Sequence, residues 1–329
     1  MGFLHSFWIW FKRTLLAVLL ALLIAPFFVP NASSGTETYR QAAGPDATFT
    51  NVGGVEIHYN KFAYSGHCNC KPPLILLLHG FGASNFTWRD IASPLTKHGQ
   101  VVAFERPAYG FTERPASWQG LNPYSDDFVL KIIASLVERF GSGRKIVLVG
   151  HSAGANLATQ YAVAHPGEVS SMILMAPAVL TSGGLPGWLK PITYLPEIAH
   201  VGPVLVGQVA QFGDVIIRSS FVNQAVVTQA VLDGYHSPLK IRGWERALWQ
   251  ATLTERNSAF KDRLSDLSVP TLVITGDRDT IVPTKQSKQL AGILPNSQLV
   301  VIPKAEHLAH EEYPALTLQA IADRADYLF

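Results

Sequence analysis

Ser152 is the side chain whose surroundings best favour nucleophilic chemistry in this sequence. It is the centre of Gly-His-Ser-Ala-Gly at residues 150–154, between an apolar run at residues 145–149 and a helical pattern at residues 156–165. A strand-to-helix turn lifts the hydroxyl out of the sheet edge, and the glycines remove β-carbons that would collide there. The helix N-terminus also favours developing negative charge. The pattern therefore predicts a nucleophile, and the alternative is a small residue tolerated in a tight turn.

A serine nucleophile needs a base, and the base needs a carboxylate that orients it. Residues 270–275 have the pattern of a buried parallel strand, and the loop after them carries Asp277 and Asp279. The next strand-like run, residues 297–302, is followed by His307. Because the carboxyl ends of parallel strands meet at one edge of a sheet, we expect His307 and one of the two aspartates to lie beside Ser152.

Two other histidines are candidates for the base. His310 lies three residues after His307, at the approach to the predicted final helix, and His165 lies at the far end of its helix from Ser152. For His307, the alternative is a helix-capping or surface histidine. The position of His307 directly after a strand makes it the predicted base.

The order serine, aspartate, histidine, each after a strand, resembles the α/β-hydrolase family over about residues 48–329. Residues 74–82, Leu-Ile-Leu-Leu-Leu-His-Gly-Phe-Gly, resemble the family's oxyanion segment. This resemblance implies that the amides of Phe81 and Ala153 stabilise the tetrahedral intermediate, each by on the order of 3 kcal/mol. The family pattern Gly-x-x-Asp ahead of a proline also favours Asp279 over Asp277.

The chain departs from the family pattern at two places. Relatives usually carry Gly-His where this chain has Glu306 and His307, and many carry aspartate at the position of Glu105, which we interpret as structural. We interpret His151 as a packing residue and His79 as a residue that orders its loop by hydrogen bonding.

These residues predict acyl transfer by a serine hydrolase without a cofactor or a metal. The histidines show no His-Glu-x-x-His or paired-cysteine spacing, and no glycine-rich phosphate loop follows a strand. Lysine and arginine total 26 against 24 acidic residues, which gives no large basic field for nucleic acid. We expect a small-molecule or lipid ester as the substrate. The sequence does not indicate an oligomeric state.

The predicted fold class is α/β, with a mostly parallel central sheet and helices on both faces, because strand-like and helical runs alternate. Residues 55–62, after Gly53 and Gly54, fit the second arm of an N-terminal hairpin. The helix candidates are residues 86–95, 126–140, 156–165, 283–294 and 313–328.

We predict an N-terminal hydrophobic anchor or signal at residues 1–30, a linker at 31–46, a hydrolase core at 47–177 and 268–329, and a helical cap at 178–267. The cap is predicted because the strand rhythm stops for about ninety residues, too long for a simple connection. It contains helical patterns at residues 201–212 and 238–254.

Three cap side chains are predicted to bind substrate, namely Trp188, Phe212 and Trp244. The alternative is that these aromatic residues pack the cap helices against one another.

The N-terminus has the pattern of a membrane anchor. Residues 14–30 are apolar and uncharged, and Lys12, Arg13 and an aromatic cluster at residues 7–11 precede them. This length just reaches that of a spanning helix, and the basic pair predicts a catalytic domain on the non-cytoplasmic side. The alternative is secretion after cleavage of a signal peptide. Cys68 and Cys70 are too close in sequence for an easy disulfide.

The predicted substrate is a lipophilic carboxylic ester. Residues 81–84 and 104–110 also resemble plant and cyanobacterial hydrolases linked to prenyl or chlorophyll esters. Relatives with the same triad cleave carbon–carbon bonds or form peracids, and others act as ligand receptors with little turnover, so these functions are alternatives. Epoxide hydrolase and dehalogenase chemistry is disfavoured because those relatives carry aspartate at the nucleophile position.

Overall fold

The computed structural model describes residues 2–30, 33–67, 71–181, 187–254 and 257–329. In these residues an eight-stranded sheet forms the centre of the molecule. Its strands are β1 (Thr48–Val52), β2 (Val55–Phe62), β3 (Leu74–Leu78), β4 (Gln100–Phe104), β5 (Ile146–His151), β6 (Ser171–Met175), β7 (Thr271–Gly276) and β8 (Ser297–Ile302). The strand order is β1-β2-β4-β3-β5-β6-β7-β8.

Helices connect most of the strands. They are α1 (Gly2–Ile24), α2 (Tyr39–Ala43), α3 (Ala92–Leu95), α4 (Asp126–Phe140), α5 (Ala153–Ala164), α6 (Lys190–Thr193), α7 (Pro196–Ala210), α8 (Gly213–Ser219), α9 (Gln229–His236), α10 (Trp244–Leu253), α11 (Thr284–Ile293), α12 (Ala309–Glu312), α13 (Pro314–Ala322) and α14 (Ala325–Leu328). The 3-10 helices are Ala25–Phe28, Asn85–Trp88, Gly187–Leu189, Gln224–Val226, Ser237–Lys240 and Ala259–Asp266.

The sheet is parallel from β4 through β8, and the β1–β2 hairpin adds two antiparallel strands at one end. Every residue of β3 is buried because alternate side chains enter opposite cores. Leu74, Leu76 and Leu78 pack in the core that contains α4 and α5 residues, whereas Ile75 and Leu77 pack in the opposite core. The predicted α/β fold with helices on both faces is confirmed.

Several predicted elements have the observed bounds, namely the strands at residues 55–62 and 297–302 and the helix at residues 126–140. The predicted helix at residues 86–95 is wrong, because the chain forms a 3-10 helix and the short α3 instead. Pro94 fits only the first turn of a helix, which prevents α3 from beginning much earlier.

Two other predicted helices are divided. The run at 238–254 breaks at Gly243, which has φ +76° and begins α10. The run at 313–328 breaks at Arg324, whose φ of −124° and ψ of 20° are not helical. The predicted helix at 201–212 begins earlier, at Pro196, because proline suits the first helical turn.

Between β6 and β7 the described residues form helices and turns but no strand. We call the described residues 178–181, 187–254 and 257–267 the cap segment. Residues 182–186, near the start of the predicted cap, lie outside the described residues, as do Cys68 and Cys70. The four predicted domain boundaries stay predictions.

The N-terminal residues contain one segment, His5–Phe28, that is long and apolar enough to cross a membrane by length and composition. It comprises most of α1 and the 3-10 helix after it. The predicted linker at residues 31–46 contains the short helix α2. The Thr38 hydroxyl caps it by accepting a hydrogen bond from the Gln41 amide, and the Gln41 side-chain oxygen accepts one from the Thr38 amide.

Candidate active site

Ser152 occupies the sharp turn between β5 and α5. Its φ of +50° and ψ of −116° lie in a region that non-glycine residues rarely adopt. Two hydrogen bonds hold this conformation: the Ser152 amide donates to the Met175 carbonyl at 2.9 Å, and the Ala178 amide donates to the Ser152 carbonyl at 3.2 Å. Strain of this kind persists when surrounding contacts hold the residue, as they do here.

The glycines on either side of Ser152 are required by close packing. A β-carbon at Gly150 would lie 2.5 Å from the Ala155 Cα, and one at Gly154 would lie 2.0 Å from the Leu78 carbonyl oxygen. Neither distance is possible, so only glycine permits β5, α5 and β3 to approach so closely.

Asp279 and His307 form a buried pair. The His307 Nδ1 lies 3.0 Å from Oδ2 and 3.2 Å from Oδ1 of Asp279. The amides of Ile281 and Val282 donate to Asp279 Oδ1 at 3.0 and 2.8 Å and fix the carboxylate. Asp277 is exposed, so the structure brings Asp279 to the imidazole and leaves its rival at the surface.

The histidine loop lies directly beside the serine turn. The His151 Nε2 lies 3.1 Å from the His307 carbonyl oxygen, and the two imidazole rings are 4.7 Å apart. His151 directly precedes Ser152 in the chain. Ser152, His307 and Asp279 therefore all lie at the carboxyl edge of the sheet, after β5, β8 and β7 respectively. His165 lies at the far end of α5, and His310 is buried in α12.

The segment after β3 passes next to Ser152. A β-carbon at Gly80 would lie 3.3 Å from the Ser152 Cβ and 2.8 Å from the His151 Nδ1. Phe81 and Ala153, whose amides are the predicted oxyanion donors, line one cavity together. Ala153 is the first residue of α5, where an amide has no acceptor within the helix.

That cavity is an open cleft, and the space of about 540 Å³ among its lining residues includes solvent at its mouth. Its lining is mixed: apolar groups come from Phe81, Pro107, Val129, Leu157 and Ala251, and polar groups come from Arg106, Tyr109, Tyr124, Asp126, Asn156 and Thr254. This lining offers apolar side chains that can contact an alkyl group and polar groups that can orient one polar end.

None of the three predicted substrate-binding residues lines this cavity. Trp188 and Phe212 are 75% and 65% exposed, and the Trp244 side chain is buried, with its indole Nε1 donating to the Ser34 Oγ at 2.9 Å. The structure does not bring these side chains to Ser152, and their role in binding stays a prediction.

Sequence reasoning missed the cavity residues nearest the nucleophile turn. Asn156 and Leu157 come four and five residues after Ser152, so helical spacing places them one turn along α5. Arg106 and Tyr109 lie in the turn after β4, where the Arg106 guanidinium lies 4.5 Å from the Tyr109 ring. Their positions just after a parallel strand were the available signal.

Two buried histidines near the site are held in the neutral form. Burial, and secondarily Arg106, lowers the pKa of His79 well below its usual value, and burial followed by His307 does the same to the pKa of His151. The His79 Nδ1 donates to the Gly80 carbonyl at 2.8 Å, which ties the ring to its own loop. Neither ring therefore adds a positive charge beside His307 at neutral pH.

Glu105 links three neighbouring segments of the chain through its carboxylate. Its carboxylate lies 2.8 Å from the His58 Nδ1 and accepts hydrogen bonds from the amides of Asn85 at 2.9 Å and Phe111 at 2.5 Å. A β-carbon at Gly110 would overlap this carboxylate, which explains the glycine there. These contacts favour the structural interpretation of Glu105.

Glu306 also has a role that sequence reasoning missed. Its carboxylate accepts hydrogen bonds from the Thr280 amide at 2.7 Å, the Thr280 hydroxyl at 2.5 Å and the His307 amide. One buried side chain thus joins the loop of Asp279 to the loop of His307. The available signal was that this chain has glutamate where the family usually has the glycine of Gly-His, because a side chain at this position can bind the neighbouring loop.

Within the described part of the chain, no group of three or more histidine, cysteine, aspartate or glutamate side chains is arranged to hold a metal ion.

The chain belongs to the α/β-hydrolase fold family, whose model matches residues 73–314. The matched residues include Ser152, Asp279 and His307.

Named relatives are hydrolases of several kinds. The chain is 26% identical over 289 residues to the monoacylglycerol lipase abhd6-B of Xenopus laevis, covering 87% of this chain and 83% of the relative. It is 25% identical over 291 residues to the 2-hydroxy-6-oxo-6-(2'-aminophenyl)hexa-2,4-dienoic acid hydrolase of Metapseudomonas resinovorans, covering 84% and 91%. A thermophilic esterase from Thermogutta terrifontis has the same fold, with a TM-score of 0.65, 21% identity and coverage of 87% and 100%. These similarities support a hydrolase.

Proposed function

We propose that the protein is a serine hydrolase that cleaves a lipophilic carboxylic ester through an acyl-enzyme on Ser152. The observation that carries this proposal is the buried pair of Asp279 and His307 beside a strained serine turn. Family membership and the lipase and esterase names among the relatives support it.

The chemistry uses each group in one role. Because His307 Nδ1 faces Asp279, Nε2 is the nitrogen that takes the Ser152 proton as Oγ attacks the ester carbonyl. The amides of Phe81 and Ala153 stabilise the oxyanion. The tetrahedral intermediate then breaks its bond to the alcohol, which receives the proton from His307. Water activated by His307 attacks the acyl-enzyme, breaks the bond to Oγ and releases the acid.

The lipophilic character of the substrate is proposed from the cavity and the relatives. The apolar part of the lining extends from Phe81 to Leu157 and Ala251. Burying an alkyl chain there contributes about 0.8 kcal/mol per methylene group. We therefore expect kcat/KM to rise with acyl length until the cavity is filled.

Labelling of the full chain with a fluorophosphonate probe, beside hydrolysis of p-nitrophenyl esters of increasing length, tests this function. We expect Ser152→Ala to abolish both labelling and turnover. Labelling followed by no turnover would instead indicate the receptor-like alternative. Unchanged turnover in Ser152→Ala would refute the proposal.

A second candidate is hydrolysis of a carbon–carbon bond by the same triad. The dienoic acid hydrolase relative favours testing it, because its coverage is as complete as that of the lipase. A vinylogous 1,5-diketone offered beside the p-nitrophenyl esters separates the two chemistries. Turnover of the diketone with no ester hydrolysis would replace the first proposal with the second.

We also propose that His5–Phe28 anchors the protein in a membrane, with the catalytic domain on the non-cytoplasmic side. Extraction of membranes with alkaline carbonate tests the anchor. Full-length protein that remains in the pellet supports integral insertion, and its release into the soluble fraction contradicts it.

A further inference from the structure

The apolar N-terminal helix ends against the cap segment. The 3-10 helix Ala25–Phe28 contacts α7, and the Phe27 ring lies 5.6 Å from the His200 ring. The His200 Nε2 donates to the Val29 carbonyl at 3.0 Å. The chain therefore leaves its candidate membrane span in direct contact with a cap helix.

The next residues fasten the N-terminal segment to the cap segment through Glu245. The hydroxyls of Ser33 and Ser34 donate to the Glu245 carboxylate at 2.7 Å each, and the Ser34 amide donates at 2.6 Å. Glu245 is buried, so these bonds are protected from water. We call residues 33–37 the strap.

The backbone of the strap completes the attachment. The Glu37 amide donates to the Lys240 carbonyl at 3.0 Å, and the Arg242 amide donates to the Glu37 carbonyl at 2.8 Å. A β-carbon at Gly35 would lie 2.3 Å from the Ile241 carbonyl oxygen, so glycine is required for this approach. The strap fixes the cap segment near the end of the anchor.

The cap segment, whose helix α7 contacts the N-terminal segment, exposes a set of large apolar side chains. We call six of them the apolar face, and each is more than half exposed: Trp188 75%, Tyr194 70%, Leu205 55%, Val209 57%, Phe212 65% and Val215 65%. Trp188 lies in the 3-10 turn before α6, and Tyr194 lies between α6 and α7. Leu205 and Val209 are on α7, Phe212 lies between α7 and α8, and Val215 is on α8. α7 and α8 together are apolar enough for a membrane segment, although a 61° bend separates them. Contiguous exposed apolar surface marks a site of interaction with a protein or a membrane.

We propose that the apolar face docks on a lipid bilayer, with these side chains in the headgroup and upper acyl layer. A spanning helix that ends at Phe28 must leave the bilayer there, and residues 25–29 contact α7. The headgroup layer on each side is only about 5–7 Å thick, whereas a helix with its side chains is about 10 Å wide. α7 therefore lies at the membrane surface, where tryptophan and tyrosine are favoured.

This proposal rests on the membrane anchor proposed above, but not on catalysis at Ser152. It gives the site a source of substrate, because esters with long acyl chains partition into the bilayer against which the cap segment lies.

Fluorescence from two labelled positions tests the apolar face in the full chain. Cys68 and Cys70 are the two cysteines of the sequence, so Cys68→Ser with Cys70→Ser provides the background for Val215→Cys. Leu316→Cys is the matched control, because Leu316 is an apolar residue 45% exposed on α13 of the core. Both sites carry the environment-sensitive dye NBD, and the protein is placed in phosphatidylcholine nanodiscs with or without a nitroxide on acyl carbon 5.

A docked face lies about 5–10 Å into the headgroup and acyl boundary, so we expect roughly twofold quenching at position 215 and little at position 316. Equal quenching at both positions, or quenching at neither, overturns the proposal. Release of the chain by carbonate overturns the anchor and the docked face together. Neither the quenching nor the carbonate extraction requires turnover. A failure of the proposed reaction would therefore appear only in the labelling and turnover of Ser152→Ala, and not in these two experiments.

A second variant tests the consequence for substrate. We expect Val209→Asp with Val215→Asp to lower hydrolysis of a long-chain ester in the bilayer about tenfold, because charged side chains resist burial in the acyl layer. Hydrolysis of soluble p-nitrophenyl acetate should not change, and Leu316→Asp should alter neither rate. If the double variant hydrolyses the bilayer ester as fast as the unmodified protein does, the protein does not dock through this face.

Discussion

The two aspartates in the loop after β7 show what a single residue's position decides. Both Asp277 and Asp279 follow the strand, and the residues alone left either one as the partner of the histidine. The family pattern favoured Asp279, and the backbone path explains the choice: the amides of Ile281 and Val282 turn its carboxylate inward. Although the two residues are only two positions apart, the carboxylate of Asp279 is buried and that of Asp277 is exposed.

We expect Asp279→Asn to lower kcat by about 10⁴-fold, because an amide at this position stabilises the wrong imidazole tautomer. Asp277→Asn is the matched control and should change kcat by less than about twofold, as surface substitutions usually do. Steady-state hydrolysis of p-nitrophenyl butyrate measures both. Similar losses in the two variants would refute the assignment of Asp279.

Glu306 is a positioning residue whose effect should appear in kcat and not in KM. Glu306→Ala leaves the amides of Thr280 and His307 without their acceptor, at a cost of about 1–3 kcal/mol. If that cost falls on the alignment of Asp279 and His307, kcat decreases about 10- to 100-fold. Glu306→Gln keeps an acceptor oxygen and should recover most of the rate. A rise in KM with unchanged kcat would place Glu306 in substrate binding instead.

His310 should make the folded protein less stable in acid. Burial, followed by Arg89 and His307, lowers its pKa to about 3 from 6.5. Below about pH 6.5 the unfolded chain binds a proton that the folded chain does not, so stability falls by up to about 1.4 kcal/mol per pH unit until the folded pKa is reached.

Replacement by glutamine tests this effect. The free energy of unfolding of His310→Gln relative to the unmodified protein should rise by about 1–2 kcal/mol between pH 7 and pH 5.5, measured by urea unfolding in detergent micelles. Burial raises the pKa of Glu311, which acts in the opposite direction, but Glu311 is present in both proteins. A difference that does not depend on pH would show that His310 does not titrate in this way.

At the scale of elements, the strands were more predictable than the helices. β2 and β8 have their predicted bounds because each is a run rich in apolar residues beside turn residues: Gly53 and Gly54 precede β2, and Pro303 follows β8. The helices were predicted as continuous where single residues break them: Gly243 adopts a left-handed conformation, and Arg324 leaves the helical region. Hydrophobic periodicity does not detect such breaks, because the apolar pattern continues on both sides.

The packing of α5 on β3 gives a prediction about Gly154. Gly154→Ala should destabilise the protein by about 1–3 kcal/mol, because the added carbon overlaps the Leu78 carbonyl and the helix must shift. Gly292→Ala in α11 is the control, since nothing lies within 4 Å of its added carbon. Alanine should there stabilise the helix by about 0.5–1 kcal/mol. Urea midpoints that move in the same direction for both variants would contradict this account.

At the scale of the whole molecule, the fold and the chain order of the candidate site followed from sequence, but the path of residues 31–46 did not. Their small and polar composition predicted a spacer between membrane and domain. In the structure, Ser33 and Ser34 bind Glu245, more than two hundred residues away. No local pattern predicts such a contact, because the same serines would be equally compatible with a solvated chain. The same limit applies to Trp244, whose indole binds Ser34 and not the cavity.

The Glu245 carboxylate holds the strap, and with it the N-terminal segment, against the cap segment. Glu245→Ala removes three hydrogen bonds to a buried carboxylate, and each bond to a charged group contributes about 1.5–3 kcal/mol. Local opening of the strap should then become more frequent, and proteinase K should cut within residues 33–46 at least about tenfold faster. Asp233→Ala is the control, because Asp233 is an exposed acidic residue of α9 whose side chain accepts from Gln229. Mass spectrometry of the early fragments locates the cuts. If Glu245→Ala and Asp233→Ala are cut at the same rate, Glu245 does not hold the strap, and its attachment depends on the remaining hydrogen bonds, which include those of the Glu37 backbone and of the Trp244 indole.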